Sequence, residues 1–212
     1  MVLRQLSRKV FGQKLTPLAI AKRLLADGIC IFPEFLSIEQ LHLTREDLNQ
    51  VYSSGIFKLA NTGRGASLSE SGKIRRDEIY WLERSSQNSV QGLLWQKIED
   101  LKTALNRSLF LNLQSFEGHY AVYPDGGFYE RHLDKFQGGG DRIVSFILYL
   151  NQNWQPSDGG QLRVHTPRGT HTDINPEGGK MVCFISADFE HEVLLNHSPR
   201  FSFCGWFKDG KN

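Results

Sequence analysis

Apolar residues in the first half of the chain recur at helical spacing. Leu18, Ala21, Leu24 and Leu25 fall on one side of a helical repeat. Thr16 stands where an N-cap is needed, Pro17 suits the first helical position and Gly28 suits the stop. The pattern predicts a helix over residues 17–27 and a short strand over 28–32, ended by Pro33. Ser37 with Gln40 forms a capping-box pattern ahead of a second helix, about residues 38–52. A third helix over 89–109 carries Leu93, Leu94, Ile98, Leu101 and Leu105 along one face. Between the second and third helices, residues 61–72 are rich in Gly, Ser and polar side chains and read as a loop. That loop leads into residues 73–82, which end in an apolar and aromatic strand. The stretch from about 58 to 83 reads as a hairpin or lid, since long loops in compact domains are often functional.

From Phe116 onward the period shortens. Apolar and polar residues alternate in short runs punctuated by Gly, Pro and Asp. Strands are predicted at 119–123, 129–133, 142–150, 161–165, 172–174, 181–185, 191–195 and 200–207. Such a series fits a sandwich, barrel or jelly roll. The expected class is α+β with a mainly β core: a helical support over 1–110 packed against a β-roll over 114–209, in one domain spanning 1–212.

Composition adds boundaries. The 212 residues are 40% hydrophobic and 23% charged, ordinary for a soluble globular domain. A net charge of +2 gives no footprint for nucleic acid. The basic N-terminal stretch lacks the apolar core of a signal peptide, and no apolar run suits a bilayer, so a cytoplasmic protein without membrane contact is expected. Cys30, Cys183 and Cys204 lie far apart within apolar runs, which fits buried free thiols in a reducing compartment. Oligomeric state is not written in the sequence.

The chemistry centres on His132-Leu133-Asp134. On a strand, residues two apart share a face, so an imidazole and a carboxylate would point the same way. A second imidazole from a later strand would complete two His and one carboxylate on one face of a metal, the set that suits non-haem iron(II) and leaves positions open. His191 opens such a strand; His165, His171 and His197 are alternatives. His42 and His119 read as bystanders. Arg200 follows at the start of the last strand, on the face shared with Ser202, Cys204 and Trp206. A guanidinium facing a barrel interior needs an anion, and a dicarboxylate held by a bidentate fork would supply one. A structural Asp or Glu would serve as well.

With these residues in place, the chain resembles the iron(II)- and 2-oxoglutarate-dependent oxygenases. It is most similar to the prolyl hydroxylases that modify hypoxia-inducible factor and to their bacterial relatives. The similarity runs from about Lys73 to Phe207. It is carried by Ile74 through Glu83, Tyr123-Pro124-Asp125-Gly126-Gly127, Tyr129 through Asp134, Tyr149-Leu150-Asn151, Trp154, Gly159 through Arg163, His191-Glu192-Val193 and Arg200 through Phe207. The resemblance implies a double-stranded β-helix. It implies that His132, Asp134 and His191 bind Fe(II), and that Arg200 grips the far carboxylate of 2-oxoglutarate with a hydrogen bond from Tyr149. Tyr123 would lie near the chelating end. Tyr129, Arg142 and Trp206 match positions near a peptide substrate, and residues 74–81 match the segment that closes over it, with Asp77 and Arg142 as a pair to hold it closed. It also implies O2 as cosubstrate and L-ascorbate as a reductant. The product would be 4-hydroxyproline in a protein, with elongation factor Tu as the first partner to consider. The same chemistry on a free amino acid or other small molecule is an alternative, as is a cupin-like metal-binding module without oxygenase activity. Two departures stand out: Cys204 sits where a hydroxyl residue is common, and one residue fewer separates Tyr123 from His132.

Overall fold

The computed structural model describes residues 16–60, 71–85, 88–135, 141–166 and 169–210. Three long helices sit where the apolar repeat places them. Helix α1, Pro17–Asp27, is capped by the Thr16 side chain, which accepts from the Ala19 N–H at 3.3 Å. It ends at Gly28, whose φ of 70° is the left-handed turn that glycine tolerates. After the first strand, β1 (Ile29–Phe32), helix α2 spans Ile38–Ser53 with both arms of the Ser37/Gln40 capping box formed, at 3.1 and 3.2 Å. Strand β2 is only Lys58–Leu59, α3 is a single turn at Ser71–Ile74, and β3 is Glu78–Trp81. Helix α4, Ser89–Leu109, follows an Asn88 cap. Among the described residues, no helix is long and apolar enough to cross a membrane.

The β region follows: β4 (Ser115–Tyr123), β5 (Tyr129–His132), β6 (Arg142–Tyr149), β7 (Leu162–His165), β8 (His171–Ile174), β9 (Met181–Ile185), β10 (His191–Val193) and β11 (Arg200–Lys208). They form a large sheet, β1-β9-β6-β11-β4-β3-β2, and a small one, β5-β10-β7-β8. Every ladder between these strands is antiparallel. The predicted β-roll over the C-terminal half is therefore present. The region read as a lid is partly sheet, because β2 and β3 extend the large sheet past β4; residues 61–70 between them lie outside the described residues.

Strand alternation sorts the large sheet's two faces. On β11, Phe203 and Phe207 join a core that also holds Leu94, Ile98 and Leu101 of α4. Cys204 belongs instead to a second core between the sheets, with Leu162 and Val193 of the small sheet. The same split separates Phe146 and Leu148 from Ile147 and Tyr149 on β6, and Tyr120 from Ala121 and Tyr123 on β4. Strand β4 starts at Ser115, earlier than its weak strand formers Glu117 and Gly118 predict. Pairing decides it, since β11 runs in register as far as Lys208 opposite Ser115. Gly118 and Gly205 face each other, and a Cβ on Gly205 would lie 2.4 Å from the Phe116 ring. That space lets the Phe116 ring lie over the two glycines on the helix-facing side and pack on Phe203 and Phe207.

One buried polar group ties the helices to this sheet. Asp47 of α2, 5% exposed, accepts hydrogen bonds from Tyr120 Oη at 2.7 Å, Gln91 Nε2 at 3.1 Å and Asn88 Nδ2. Burial and this carboxylate together push the Tyr120 phenol far above its ordinary range. Asp47→Ala removes the acceptor of three hydrogen bonds and should cost about 3 kcal/mol in urea denaturation, whereas Asp47→Asn, which keeps one acceptor, should lose roughly half of that.

Candidate active site

Three metal-binding side chains meet at the open edge of the small sheet. His132 ends β5, His191 begins β10, and the two are direct cross-strand partners. Asp134 joins them, and the candidate ligand atoms of the three lie within 4.8 Å of one another. His132 Nε2 is 3.7 Å from Asp134 Oδ1, and His191 Nε2 is 3.6 Å from Asp134 Oδ2. Each imidazole turns its other nitrogen to a backbone carbonyl: His132 Nδ1 to Glu130 at 2.7 Å, His191 Nδ1 to Phe189 at 3.1 Å. Nδ1–H donating to those carbonyls leaves both Nε2 lone pairs directed at the common point. Ser145 Oγ donates to Asp134 Oδ2 at 2.6 Å and contacts Ser186 Oγ at 2.9 Å.

The electrostatics favour the ligating forms. Burial and the neighbouring His191 push His132 down to about 3, so it is a neutral imidazole at physiological pH. Burial alone would raise the Asp134 carboxyl, but the two imidazoles and the Ser145 hydroxyl outweigh it and hold it below the ordinary range. A neutral His132 beside an ionised Asp134 suits a divalent cation, which takes the deprotonated forms as ligands.

Toward the interior, Arg200 opens β11 and is 3% exposed. Its Nε donates to the Gly160 carbonyl at 2.9 Å, and its guanidinium lies 5.0 Å from the Tyr123 ring centre and 5.2 Å from that of Tyr149. No described carboxylate lies within ion-pair distance of it. The Tyr149 hydroxyl is buried without a hydrogen-bond partner. A buried cation without an anion beside an orphaned hydroxyl is costly. One end of a dicarboxylate would satisfy both, so these residues fit 2-oxoglutarate.

Residues 118–208 match the 2OG-Fe(II) oxygenase superfamily. Egl nine homolog 1 from Homo sapiens is 31% identical over 192 residues, covering 86% of this chain and 44% of that protein. The chain thus spans about half the length of that relative. A crystallised prolyl-4-hydroxylase from Pseudomonas putida superposes with a TM-score of 0.83 at 34% identity, covering 92% of this chain and 100% of that one. A prolyl hydroxylase from Trichoplax adhaerens, solved with a hypoxia-inducible-factor peptide fragment, gives 0.81 at 25% identity, covering 91% and 89%. The chain belongs to the 2OG-Fe(II) oxygenase superfamily.

Two expectations about the oxygenase's site need correction. Asp134 does not share a strand face with His132, because β5 stops at His132. Strand β10 starts at His191, which pairs with His132, so nothing in that strand is left to hold Leu133 and Asp134 in the ladder. A bend beyond the strand delivers the carboxylate, and Ser145 on β6 orients it. Nor are Asp77 and Arg142 partners. Arg75, two residues away, takes both Asp77 oxygens at 2.6 Å. Arg142 instead binds Glu117 at 3.1 Å and lies 3.5 Å over the Trp206 ring. Glu117 is the cross-strand neighbour of Trp206, which brings it closer to Arg142 than the chain near Asp77.

The remaining assigned residues converge. Tyr129 stacks on His132 at 3.7 Å between ring centres, and the Arg75 guanidinium lies 4.2 Å from the centre of the same Tyr129 ring. Trp206 shares the row of Ser145, with which it is paired across β11 and β6. Its indole N–H also bears on the Asp134 charge without forming a hydrogen bond. His165 does not take part: it pairs with Glu192 at 2.9 Å, close to His171. The sequence reading passed over Arg75, Ser145, Ser186 and His119. Arg75 stood two residues from Asp77 in a matched segment and could have been found; the serines carry no local signal.

Two outcomes follow for the oxygenase. Ser145→Ala should weaken iron(II) binding about tenfold or more by freeing the Asp134 carboxylate, read by direct metal titration. His119 is also held down to about 3, chiefly by burial and then by Arg75 and Arg142. Its unfolded form gains a proton near the ordinary histidine value, so its contribution to stability is complete above about pH 6.5 and is lost as the pH falls toward 3. Between pH 7 and 5 this one group should cost the metal-free protein about 2 kcal/mol, and His119→Leu should remove that part of the slope.

Proposed function

We propose that this oxygenase hydroxylates a prolyl residue of a protein, forming 4-hydroxyproline with succinate and carbon dioxide as coproducts. The full-length likeness to the Pseudomonas putida prolyl-4-hydroxylase carries the reading. It is supported by a Trp-, Tyr- and Arg-lined wall beside the three converging ligands, suited to a peptide with a compact apolar ring. In this reading His132, Asp134 and His191 hold iron(II). The iron, when bound with 2-oxoglutarate, supplies oxygen activation coupled to oxidative decarboxylation.

The chain's own residues do the positioning. Arg200 offers a fork to the far carboxylate and Tyr149 donates its hydroxyl proton to it; burial keeps that phenol protonated. Tyr123 stands near the chelating end, also kept protonated by burial. Ser145 fixes the Asp134 carboxylate, and the Phe189 and Glu130 carbonyls fix the imidazoles. Tyr129, Arg142 and Trp206 border the substrate, and Asp77 anchors Arg75 beside them. The apolar residues between the sheets exclude water from the reacting carbon. L-Ascorbate serves as reductant, the cytoplasm is the compartment, and elongation factor Tu is the first protein to test as substrate.

Asp134→Ala should abolish 2-oxoglutarate decarboxylation, and Arg200→Ala should raise the 2-oxoglutarate KM at least tenfold with the iron affinity unchanged, each measured by succinate release and metal titration. The substrate is tested by comparing proteomes of cells carrying the active enzyme and a His132→Ala variant for one-oxygen mass shifts. Shifts on proline support the reading. Shifts confined to other residues, or turnover of a free amino acid with none on proteins, overturn it while leaving the oxygenase chemistry in place.

A further inference from the structure

The cavity face of the large sheet carries one side chain that the proposed function leaves idle. His119 on β4 has Trp81 of β3 and Cys204 of β11 as its direct cross-strand partners. Its imidazole, 4% exposed, forms a three-ring cluster with two indoles that also touch each other, 6.3 Å between their centres. The Trp81 ring centre is 4.7 Å away at an interplanar angle of 56°, and that of Trp206 is 5.5 Å away at 30°. His119 Nδ1 is buried without a hydrogen-bond partner, and so is the adjacent Trp206 Nε1. Buried histidines ordinarily end on a partner, as His132 and His191 do on their carbonyls. Its neighbour Trp206 is the cross-strand partner of Ser145, which holds Asp134, so the ring lies on the side of the sheet that faces the metal ligands. Trp81, packed against it, is 46% exposed, whereas His119 is buried. The orphaned nitrogen thus belongs to a ring packed against a side chain already half in solvent.

We propose that His119 is a substrate-positioning residue: when substrate displaces the Trp81 indole, Nδ1 hydrogen-bonds the main chain beside the target prolyl residue. This rests on the prolyl reading above. A neutral imidazole accepts at one nitrogen and donates at the other. Proline has no N–H, so the contact falls on its carbonyl or on the N–H of the following residue. The Trp206 indole, which stays against the imidazole, then packs on the apolar pyrrolidine ring. The bond adds orientation without charge, as Arg75 and Arg142 nearby oppose protonation of the ring.

The test uses the full chain with iron(II) and 2-oxoglutarate, and short synthetic peptides each bearing one central proline. His119→Leu removes the nitrogen at similar volume. His119→Asn keeps a polar atom where Nδ1 stands, and His119→Gln places it where Nε2 stands. The Leu and Gln variants should raise the peptide KM about tenfold, the loss of one hydrogen bond. The Asn variant should return it to within about threefold of the parent. The 2-oxoglutarate KM and the visible band of the anaerobic iron–2-oxoglutarate chelate should stay unchanged in all three. An unaltered peptide KM in His119→Leu, equal losses in the Asn and Gln variants, or a shifted chelate band overturns the proposal. If His119→Leu fails to fold, the Asn–Gln comparison decides alone. A parent enzyme that hydroxylates none of the peptides overturns the prolyl reading and this proposal together; a parent that does, with variants indifferent to position 119, rejects His119 only.

Discussion

The two-residue period of an antiparallel sheet governs this molecule. Seven strands must bury one face under helices and turn the other toward a smaller sheet, and each strand does so by alternation. Strand β11 shows the sorting most clearly. Phe203 and Phe207 go to the helices, while Arg200, Ser202, Cys204 and Trp206 line the space between the sheets. A slip of one residue would put Arg200 into the aromatic core and Phe203 into the cavity. The apolar face is therefore what holds the polar face in register, and the chemistry depends on core packing remote from it.

Unsatisfied polar atoms cluster on the cavity side. Among the described residues, Tyr149 Oη, His119 Nδ1 and Trp206 Nε1 all lie on that face without partners, and Arg200 lacks an anion. The helix-facing core leaves only Trp95 Nε1 in that state, and its single carboxylate, Asp47, is saturated by three donors. Orphaned groups cost stability wherever they are buried. Their concentration beside three converging ligands means that the cost is offset when ligands arrive, which couples binding of cosubstrate and substrate to the stability of the β-roll.

Much of this was legible in the chain. The caps at Thr16, Ser37 and Gly28 are local hydrogen-bonding devices, so sequence alone places α1 and α2. The apolar repeat over residues 89–109 marks α4 to the residue. The ligand set was visible as H-x-D with a distant His, and Arg200 as a charge on an interior face. The strand bounds were less legible, because a strand's length is set by its partner. Strand β4 begins early where β11 reaches it, and β5 ends early where β10 has run out.

The sequence by itself determined the elements, their apolar faces and the candidate metal-binding and cosubstrate-binding groups, since caps, periodicity and ligand chemistry are properties of nearby residues. Tertiary structure decided how those groups are aimed and paired. Asp134 owes its orientation to Ser145 eleven positions away, Arg142 chose Glu117 over Asp77, and His119 became an unpartnered nitrogen only when Trp81 and Trp206 closed on it from neighbouring strands. Those outcomes depend on which strand lies beside which, and no local pattern encodes a cross-strand neighbour.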